Sequence, residues 1–139
     1  MDGTKVLVDS GPLAAYLNAN DQWHLWATKQ WEAIFEPMAT CGAVLSETTF
    51  LLQEDGLSIS PLFELVERRT LILAFNLAQE FGAVSRLLRK HADRPMSLAD
   101  GCLVRMSESA DNCRVFTTDK DFRIYRRHER AQIPLLAPF

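Results

Sequence analysis

Two short apolar runs, one early and one late in the chain, each finish on a carboxylate. The first covers residues 5–9 and ends at Asp9, and the second covers residues 114–119 and ends at Asp119. Apolar runs of this length are typical of parallel strands buried on both faces by helices. In an open sheet of this kind, ligands bind at the carboxyl ends of strands where the winding direction reverses. The two acids are therefore expected to meet in one crevice, where their mutual repulsion favours a bound cation.

Extended and helical patterns alternate along the chain. Strands are predicted over residues 4–9, 39–43, 70–74, 113–117 and 133–136. Helices are predicted over residues 21–35, 45–54 and 60–68. A short helix is also predicted after the cap Ser10, and two further helices after the caps Asn76 and Ser97. This alternation predicts an α/β fold, with three α/β/α layers around a central, mainly parallel sheet of about five strands. A chain of 139 residues fits a single domain spanning residues 1–139.

Two of the later helices have apolar faces that we expect to pack inward. Apolar side chains recur at helical spacing after each predicted cap: Leu77, Phe81, Val84 and Leu88 in one helix, and Leu98, Cys102, Leu103 and Met106 in the next. Such faces are typical of helices that cover a sheet.

Composition narrows the class of protein. Hydrophobic residues make up 47% of the chain, but charges interrupt every apolar stretch well before the roughly 18 residues that a membrane span needs. The start of the chain also lacks the pattern of a secretory signal, so we expect a cytoplasmic protein that does not contact a membrane. The three cysteines form no CxxC pair, which favours reduced, buried thiols over zinc binding or disulfides. The net charge of −3 is compatible with a nucleic-acid partner if two divalent cations bind, because they reverse its sign.

Four acids stand at strand ends or near helix starts, and each also has a structural interpretation. Asp9 could shape a turn, and Glu47, in the first turn of its predicted helix, could complement the helix dipole. Asp100 forms a capping-box pattern with Ser97, and Asp119 is placed to cap a short helix. Taken singly, each acid is better explained by structure than by catalysis. Together they occupy positions that the predicted topology gathers at one edge of the sheet.

Four segments carry a resemblance to a known family: residues 6–10 (VLVDS), 46–47 (SE), 95–100 (PMSLAD) and 116–122 (FTTDKDF). In order and spacing they resemble the PIN domains, metal-dependent ribonucleases that include the VapC-type toxins of toxin–antitoxin pairs. The resemblance implies an acidic quartet of Asp9, Glu47, Asp100 and Asp119, accessory hydroxyl groups on Ser10 and Thr117, and an additional acid, Asp121. Gly101 departs from the toxin pattern, in which a larger small residue such as Ala is usual.

An all-oxygen set of candidate ligands selects hard cations, so we expect Mg²⁺ or Mn²⁺ and not zinc. Asp9 and Asp100 are the expected direct ligands, while Asp119 and Glu47 bind a second ion or orient water. The resemblance implies an endoribonuclease that hydrolyses RNA phosphodiester bonds, as the toxin of a type II toxin–antitoxin pair. The alternative is a PIN-like domain in RNA processing, or a non-catalytic RNA-binding or scaffold module.

Two further surfaces are predicted to meet partners. Arg123, Arg126 and Arg127 follow the last acid and are candidates to hold RNA phosphates, although such a run is also typical of a solvated face. Aromatic and aliphatic side chains are crowded over residues 23–31 and 50–57, which suggests that part of this surface is exposed. The resemblance implies an antitoxin groove there and a homodimer.

Overall fold

The computed structural model describes residues 3–139, and its centre is a parallel sheet of five strands. The strands of the chain are β1 (Lys5–Val8), β2 (Met38–Thr40), β3 (Leu71–Leu73), β4 (Cys113–Phe116), β5 (Arg126–Arg127), β6 (Ala131–Gln132) and β7 (Leu135–Leu136). The sheet has the order β3-β2-β1-β4-β7, and every pairing within it is parallel. Strands β5 and β6 form a separate antiparallel hairpin.

Helices flank the sheet and confirm the predicted α/β/α architecture. They are α1 (Ser10–Leu17), α2 (His24–Glu32), α3 (Gly42–Glu54), α4 (Ser60–Glu67), α5 (Leu77–Lys90) and α6 (Leu98–Glu108), with a 3₁₀ turn at Lys120–Arg123. Helix α1 packs against α2 and α3, and α5 packs against α6. Within residues 3–139, no helix combines the length and the apolar character that crossing a bilayer demands.

The winding direction of the sheet reverses at its central strand, β1. Strand β2 lies on one side of β1 and strand β4, from the far end of the chain, lies on the other. In the register of this second pair, Val8 is opposite Phe116. The next residues along each strand, Asp9 and Thr117, therefore emerge side by side at the same edge.

Both inner strands are continuous with the hydrophobic core. Val8 and Phe116 are fully buried, as expected for strands covered on both faces. The cysteines Cys41, Cys102 and Cys113 are also buried, and all three are free thiols, as the sequence predicted.

Several predicted boundaries near the start of the chain are wrong. The N-cap of α1 is Asp9 and not Ser10, because the Asp9 carboxylate accepts the Ser10 N–H at the start of the helix. Helix α2 is shorter than the predicted range of 21–35. A carboxylate oxygen of Asp21 accepts the Trp23 N–H in a separate turn that precedes the helix.

Helix α3 begins at Gly42, three residues earlier than predicted, and takes up residues assigned to the preceding strand. Glu47 is consequently the sixth residue of its helix and lies beyond the first turn. Favourable interaction with the helix dipole is strongest within that first turn, so it does not account for Glu47.

Two side chains predicted to be core residues are exposed. Phe81 on α5 is 57% exposed and Leu98 at the start of α6 is 42% exposed, whereas Val84 and Cys102 on the same two helices are buried. The buried stripe of α5 is therefore narrower than its sequence pattern suggests, since Val84 is its one buried residue, whereas α6 is buried on more sides than predicted, from Ala99 to Val104.

The hairpin between the 3₁₀ turn and β7 was not predicted. His128 and Glu129 in its turn have φ values of 52° and 69°, a left-handed conformation that sequence patterns usually mark with Gly or Asn. The hairpin takes part of the segment before the last strand, which covers Leu135–Leu136 instead of residues 133–136.

Candidate active site

Asp9 lies at the reversal point and is almost fully buried, at 4% exposure. Its Oδ1 atom accepts the Ser10 N–H at 2.8 Å, and its Oδ2 atom accepts the hydroxyl group of Thr117, also at 2.8 Å. The first bond follows from the position of Asp9 as the cap of α1, and the second follows from the register of β1 and β4. Both carboxylate oxygens are therefore fixed by the fold.

Ser10 and Thr117 connect Asp9 to two more of the predicted acids, Ser10 through its backbone N–H and its hydroxyl group and Thr117 through its hydroxyl group. Thr117 Oγ1 accepts the Asp119 N–H at 3.0 Å, and Ser10 Oγ donates to Glu47 Oε1 at 3.0 Å. Three acids from distant parts of the sequence thus lie around two hydroxyl groups. The accessory positions that the family resemblance implied for Ser10 and Thr117 are at the contact points between them.

Asp100 is the fourth acid, and the structure contains the capping box that its sequence context predicted. Its backbone N–H donates to Ser97 Oγ at 3.0 Å, and its Oδ2 atom accepts the Ser97 N–H at 3.3 Å. The same Oδ2 atom accepts a hydrogen bond from the hydroxyl group of Tyr125 at 3.1 Å. Asp100 lies in the first turn of α6, and Tyr125 lies just after the 3₁₀ turn. The hydrogen bond between them therefore joins these two elements at the edge of the sheet.

The charges of neighbouring acids act on the ionisation of Asp9 and Asp100. Burial raises the pKa of Asp9 to about 7, and the negative charges of Asp100 and Glu47 add to this rise, while hydrogen bonds from Thr117 and Ser10 oppose it. Burial also raises the pKa of Asp100, with a further contribution from the charge of Asp119. Without a counterion, Asp9 is only partly ionised at neutral pH. A nearby cation favours the ionised form.

The donor set fits a hard divalent cation that keeps part of its water shell. Within residues 3–139, no three His, Cys, Asp or Glu side chains lie close enough to hold a metal ion by themselves. Mg²⁺ typically binds proteins through one or two carboxylates and retains several waters. The negative charge of Asp9 is unfavourable in its buried position, and a bound cation would offset it. Carboxylate oxygens of the neighbouring acids could serve as the further ligands in that mode of binding.

Asp121 lies beside the quartet and contacts Asp119 through its backbone N–H, while no hydrogen bond joins its own carboxylate to the other acids within residues 3–139. Its backbone N–H donates to Asp119 Oδ1 at 2.9 Å, so Asp119 caps the 3₁₀ turn. The charges of Asp100, Asp121 and Asp119 all contribute to raising the pKa of Tyr125, behind the effect of burial. Asp121 is therefore close enough to influence the site electrostatically.

The three arginines predicted to bind phosphate, Arg123, Arg126 and Arg127, differ in exposure. The prediction is wrong for Arg127, which is buried. Arg127 is 8% exposed, and its guanidinium group donates to the Ala110 carbonyl oxygen at 3.0 Å. Arg126 is half-buried, and its Nη1 atom donates to the carbonyl oxygens of residues 123–125. Arg123 is exposed, with its guanidinium carbon 5.6 Å from the centroid of the Phe139 ring. The alternation of inward and outward side chains along the hairpin accounts for the burial of Arg127.

Sequence reasoning missed two residues near the acids. Tyr125 contacts Asp100, but it lies within a run that was interpreted only for its arginines. Lys120 and Arg123 line a cavity of about 530 Å³ together with Ile124 and Leu135. Lys120 directly follows Asp119 in the sequence. This adjacency is the sequence signal that could have identified Lys120 as a residue near the acids.

Comparison with known proteins agrees with this architecture. Over 91% of this chain and 99% of the other, the structure resembles the crystal structure of Mycobacterium tuberculosis VapC20, a sarcin–ricin loop cleaving toxin, with a TM-score of 0.73 and 22% sequence identity. No curated protein matches the sequence significantly. The profile of the PIN domain family matches residues 6–127, which include all four acids. The chain therefore belongs to the PIN domain family.

Proposed function

We propose that this protein is a metal-dependent endoribonuclease that hydrolyses RNA phosphodiester bonds, and that it is the toxin of a type II toxin–antitoxin pair. The observation that carries the proposal is that Ser10 bonds both Asp9 and Glu47, and that Thr117 bonds both the Asp9 carboxylate and the Asp119 backbone N–H. The charge of Asp100 also acts on Asp9, and the charge of Asp119 acts on Asp100. A structural role for each acid separately does not explain why four buried or half-buried carboxylates share one edge of the sheet.

In this proposal Asp9 and Asp100 are the direct ligands of Mg²⁺ or Mn²⁺, and Asp119 and Glu47 complete the site. A divalent ion, when bound, lowers the pKa of a coordinated water and offsets the charge that develops on the phosphoryl oxygens. Ser10 holds the Glu47 carboxylate, and Thr117 fixes the geometry between Asp9 and Asp119. The chain thereby orients oxygen ligands before the ion arrives, which reduces the cost of assembling the site.

The substrate surface is proposed to start at the 3₁₀ turn. Lys120 directly follows Asp119, and Arg123 lies two residues after Asp121. Both basic side chains are exposed. Their charges suit RNA phosphates, while Ile124 and Leu135 give the adjoining cavity an apolar wall. Arg126 adds positive charge at the start of the hairpin. We place this activity in the cytoplasm, where RNA substrates are available.

The direct test is cleavage of an RNA panel that contains tRNA, mRNA and rRNA fragments, including a sarcin–ricin loop because VapC20 cleaves that loop. We expect cleavage with Mg²⁺ or Mn²⁺ and none with a chelator. Asp9→Asn is expected to abolish cleavage, whereas Asp111→Asn, which changes an exposed acid outside the site, is the matched control. Cleavage that persists in Asp9→Asn refutes the proposal, and RNA binding without cleavage indicates a scaffold.

A second groove is the proposed antitoxin site. It has a volume of about 350 Å³ and is formed by α1, the turn before α2 and the end of α3, and its lining includes Trp23, Leu51 and Thr118. Asp21 and Asp55 also line it, so its rim is acidic. An antitoxin segment with apolar anchors and a basic side chain matches these features.

Exposed apolar residues also occur on helices α3 and α4. Phe50 is 60% exposed and Phe63 is 42% exposed, whereas the three tryptophans near α2 are half-buried and pack against the core. Co-expression with the product of the neighbouring open reading frame tests the antitoxin proposal. We expect a stable complex that silences cleavage, and substitution of Phe50 by Glu is expected to weaken it.

We also propose a homodimer, because Phe81 and Leu98 leave apolar surface on the adjacent helices α5 and α6. Light scattering coupled to size-exclusion chromatography measures the mass directly. A monomer at micromolar concentration contradicts this part of the proposal.

A further inference from the structure

The hydroxyl group of Tyr125 is buried in the protein and contacts one of the acids. The residue has 0% exposure, and its hydroxyl group donates to Asp100 Oδ2 at 3.1 Å. The rings of Phe122 and His91 meet the phenol ring edge to face, with centroids 5.2 and 5.3 Å away. These contacts pack the ring on two sides, so the hydroxyl oxygen is kept next to Asp100 Oδ2.

The two oxygens of Asp100 consequently have different environments. Oδ2 accepts hydrogen bonds from the Tyr125 hydroxyl group and from the Ser97 N–H. No donor in the part of the chain that the structure describes forms a hydrogen bond with Oδ1. The protein thus holds one oxygen by two hydrogen bonds and leaves the hydrogen-bonding capacity of the other unused within residues 3–139.

Packing does not require this hydroxyl group. The neighbouring ring of Phe122 is 1% exposed and fills its place in the core without a polar atom. A phenylalanine at position 125 could make the same ring contacts. The polar contact that the hydroxyl group adds is the one to Asp100, since a buried tyrosine usually places its O–H against a specific acceptor.

We infer that Tyr125 is a positioning residue that holds the Asp100 carboxylate in one orientation, in which Asp100 would serve as a ligand of the divalent ion. This inference rests on the proposed nuclease function. It adds Tyr125 to the residues that organise the same site. Groups that hydrogen-bond to metal-binding carboxylates restrict their rotation, and losing such a partner typically weakens metal binding or activity by about 10- to 100-fold.

The test compares Tyr125→Phe with Tyr16→Phe, which changes the other tyrosine of the chain. The Tyr16 ring stacks on Trp31 at 3.9 Å, and its hydroxyl group forms no hydrogen bond within residues 3–139. Mn²⁺ binding is measured by titration calorimetry on metal-free protein, and RNA cleavage is measured at varied Mn²⁺. We expect Tyr125→Phe to raise the Kd for Mn²⁺ about tenfold or more. We expect kcat to fall while KM for RNA stays within about twofold, and Tyr16→Phe to match the wild type.

A double variant distinguishes action through Asp100 from a general effect on the fold. If Tyr125 acts through Asp100, adding Tyr125→Phe to Asp100→Asn produces no further loss of Mn²⁺ binding. Wild-type Mn²⁺ affinity in Tyr125→Phe, additive losses in the double variant, or loss of the folded state in Tyr125→Phe each overturn the inference. Failure of the wild type to cleave any RNA refutes the proposed function instead, and calorimetry still decides the role of Tyr125.

Discussion

Replacing Asp9 by Asn is expected to stabilise the metal-free protein at pH 8 while it removes activity. Folding raises the pKa of Asp9 from 3.8 to about 7, a difference of about three pH units. Each pH unit corresponds to about 1.4 kcal/mol, so the ionised carboxylate destabilises the folded state by about 4 kcal/mol. Asn removes the charge and can still accept the Ser10 N–H. It loses the bond donated by Thr117, at a cost of about 1 kcal/mol.

The net gain of about 3 kcal/mol corresponds to a rise of roughly 10 °C in melting temperature for a chain of this size. The stability difference between Asp9→Asn and the wild type also depends on pH, and it grows as the pH rises between the unfolded and folded pKa values of Asp9. Below about pH 4, Asp9 is protonated in both the folded and the unfolded states, so its pKa shift changes nothing. Between pH 4 and pH 7 the unfolded chain ionises while folded Asp9 keeps its proton, and the wild type loses stability relative to the variant. Above about pH 7 the difference is constant.

Urea unfolding at pH 4, 6 and 8 in the presence of EDTA measures this difference, with Asp111→Asn as the control for removal of an exposed acid. Adding Mn²⁺ is expected to raise the melting temperature of the wild type but not that of the combined Asp9→Asn, Asp100→Asn variant. The reasoning is refuted if Asp9→Asn is less stable than the wild type in EDTA at pH 8, or if the difference does not vary with pH.

Three further substitutions test other parts of the structure. Thr117→Val removes the donor to Asp9 and the acceptor of the Asp119 N–H, so we expect a loss of about 1–3 kcal/mol in urea unfolding and a shift of the activity profile to higher pH. Gly101→Ala places a methyl group against a side-chain carbon of Leu88, and we expect overpacking to cost about 1–3 kcal/mol by the same measurement. Arg127→Met is expected to lower the melting temperature because it removes a buried hydrogen bond. Arg123→Met, in contrast, is expected to leave stability unchanged and to raise KM for RNA with a smaller salt dependence.

The sheet and the positions of the acids could be predicted because their signals are local. Asp9 and Asp119 directly follow apolar strands, and the capping box around Asp100 is visible in four consecutive residues. The topology then brings them to one edge by a general rule about parallel sheets.

Features that depend on the direction of a side chain could not be predicted. Arg126 and Arg127 are adjacent and chemically identical, yet one is half-buried and the other is inside, because an unmarked hairpin begins there. The space next to Gly101 is filled by the side chains of Leu88 and Val84 on α5, a packing detail that the sequence does not show. The contact of Tyr125 with Asp100 spans 25 residues and has no periodic signal.

The hydrogen bond between Thr117 and Asp9 joins residues 108 positions apart. During translation, β1 leaves the ribosome long before β4 exists, so the growing polypeptide carries its first acid without the neighbour that orients it. A product released before β4 is synthesised lacks both Thr117 and Asp119. The full set of four acids is thus present in the growing chain only after residue 119 has been added.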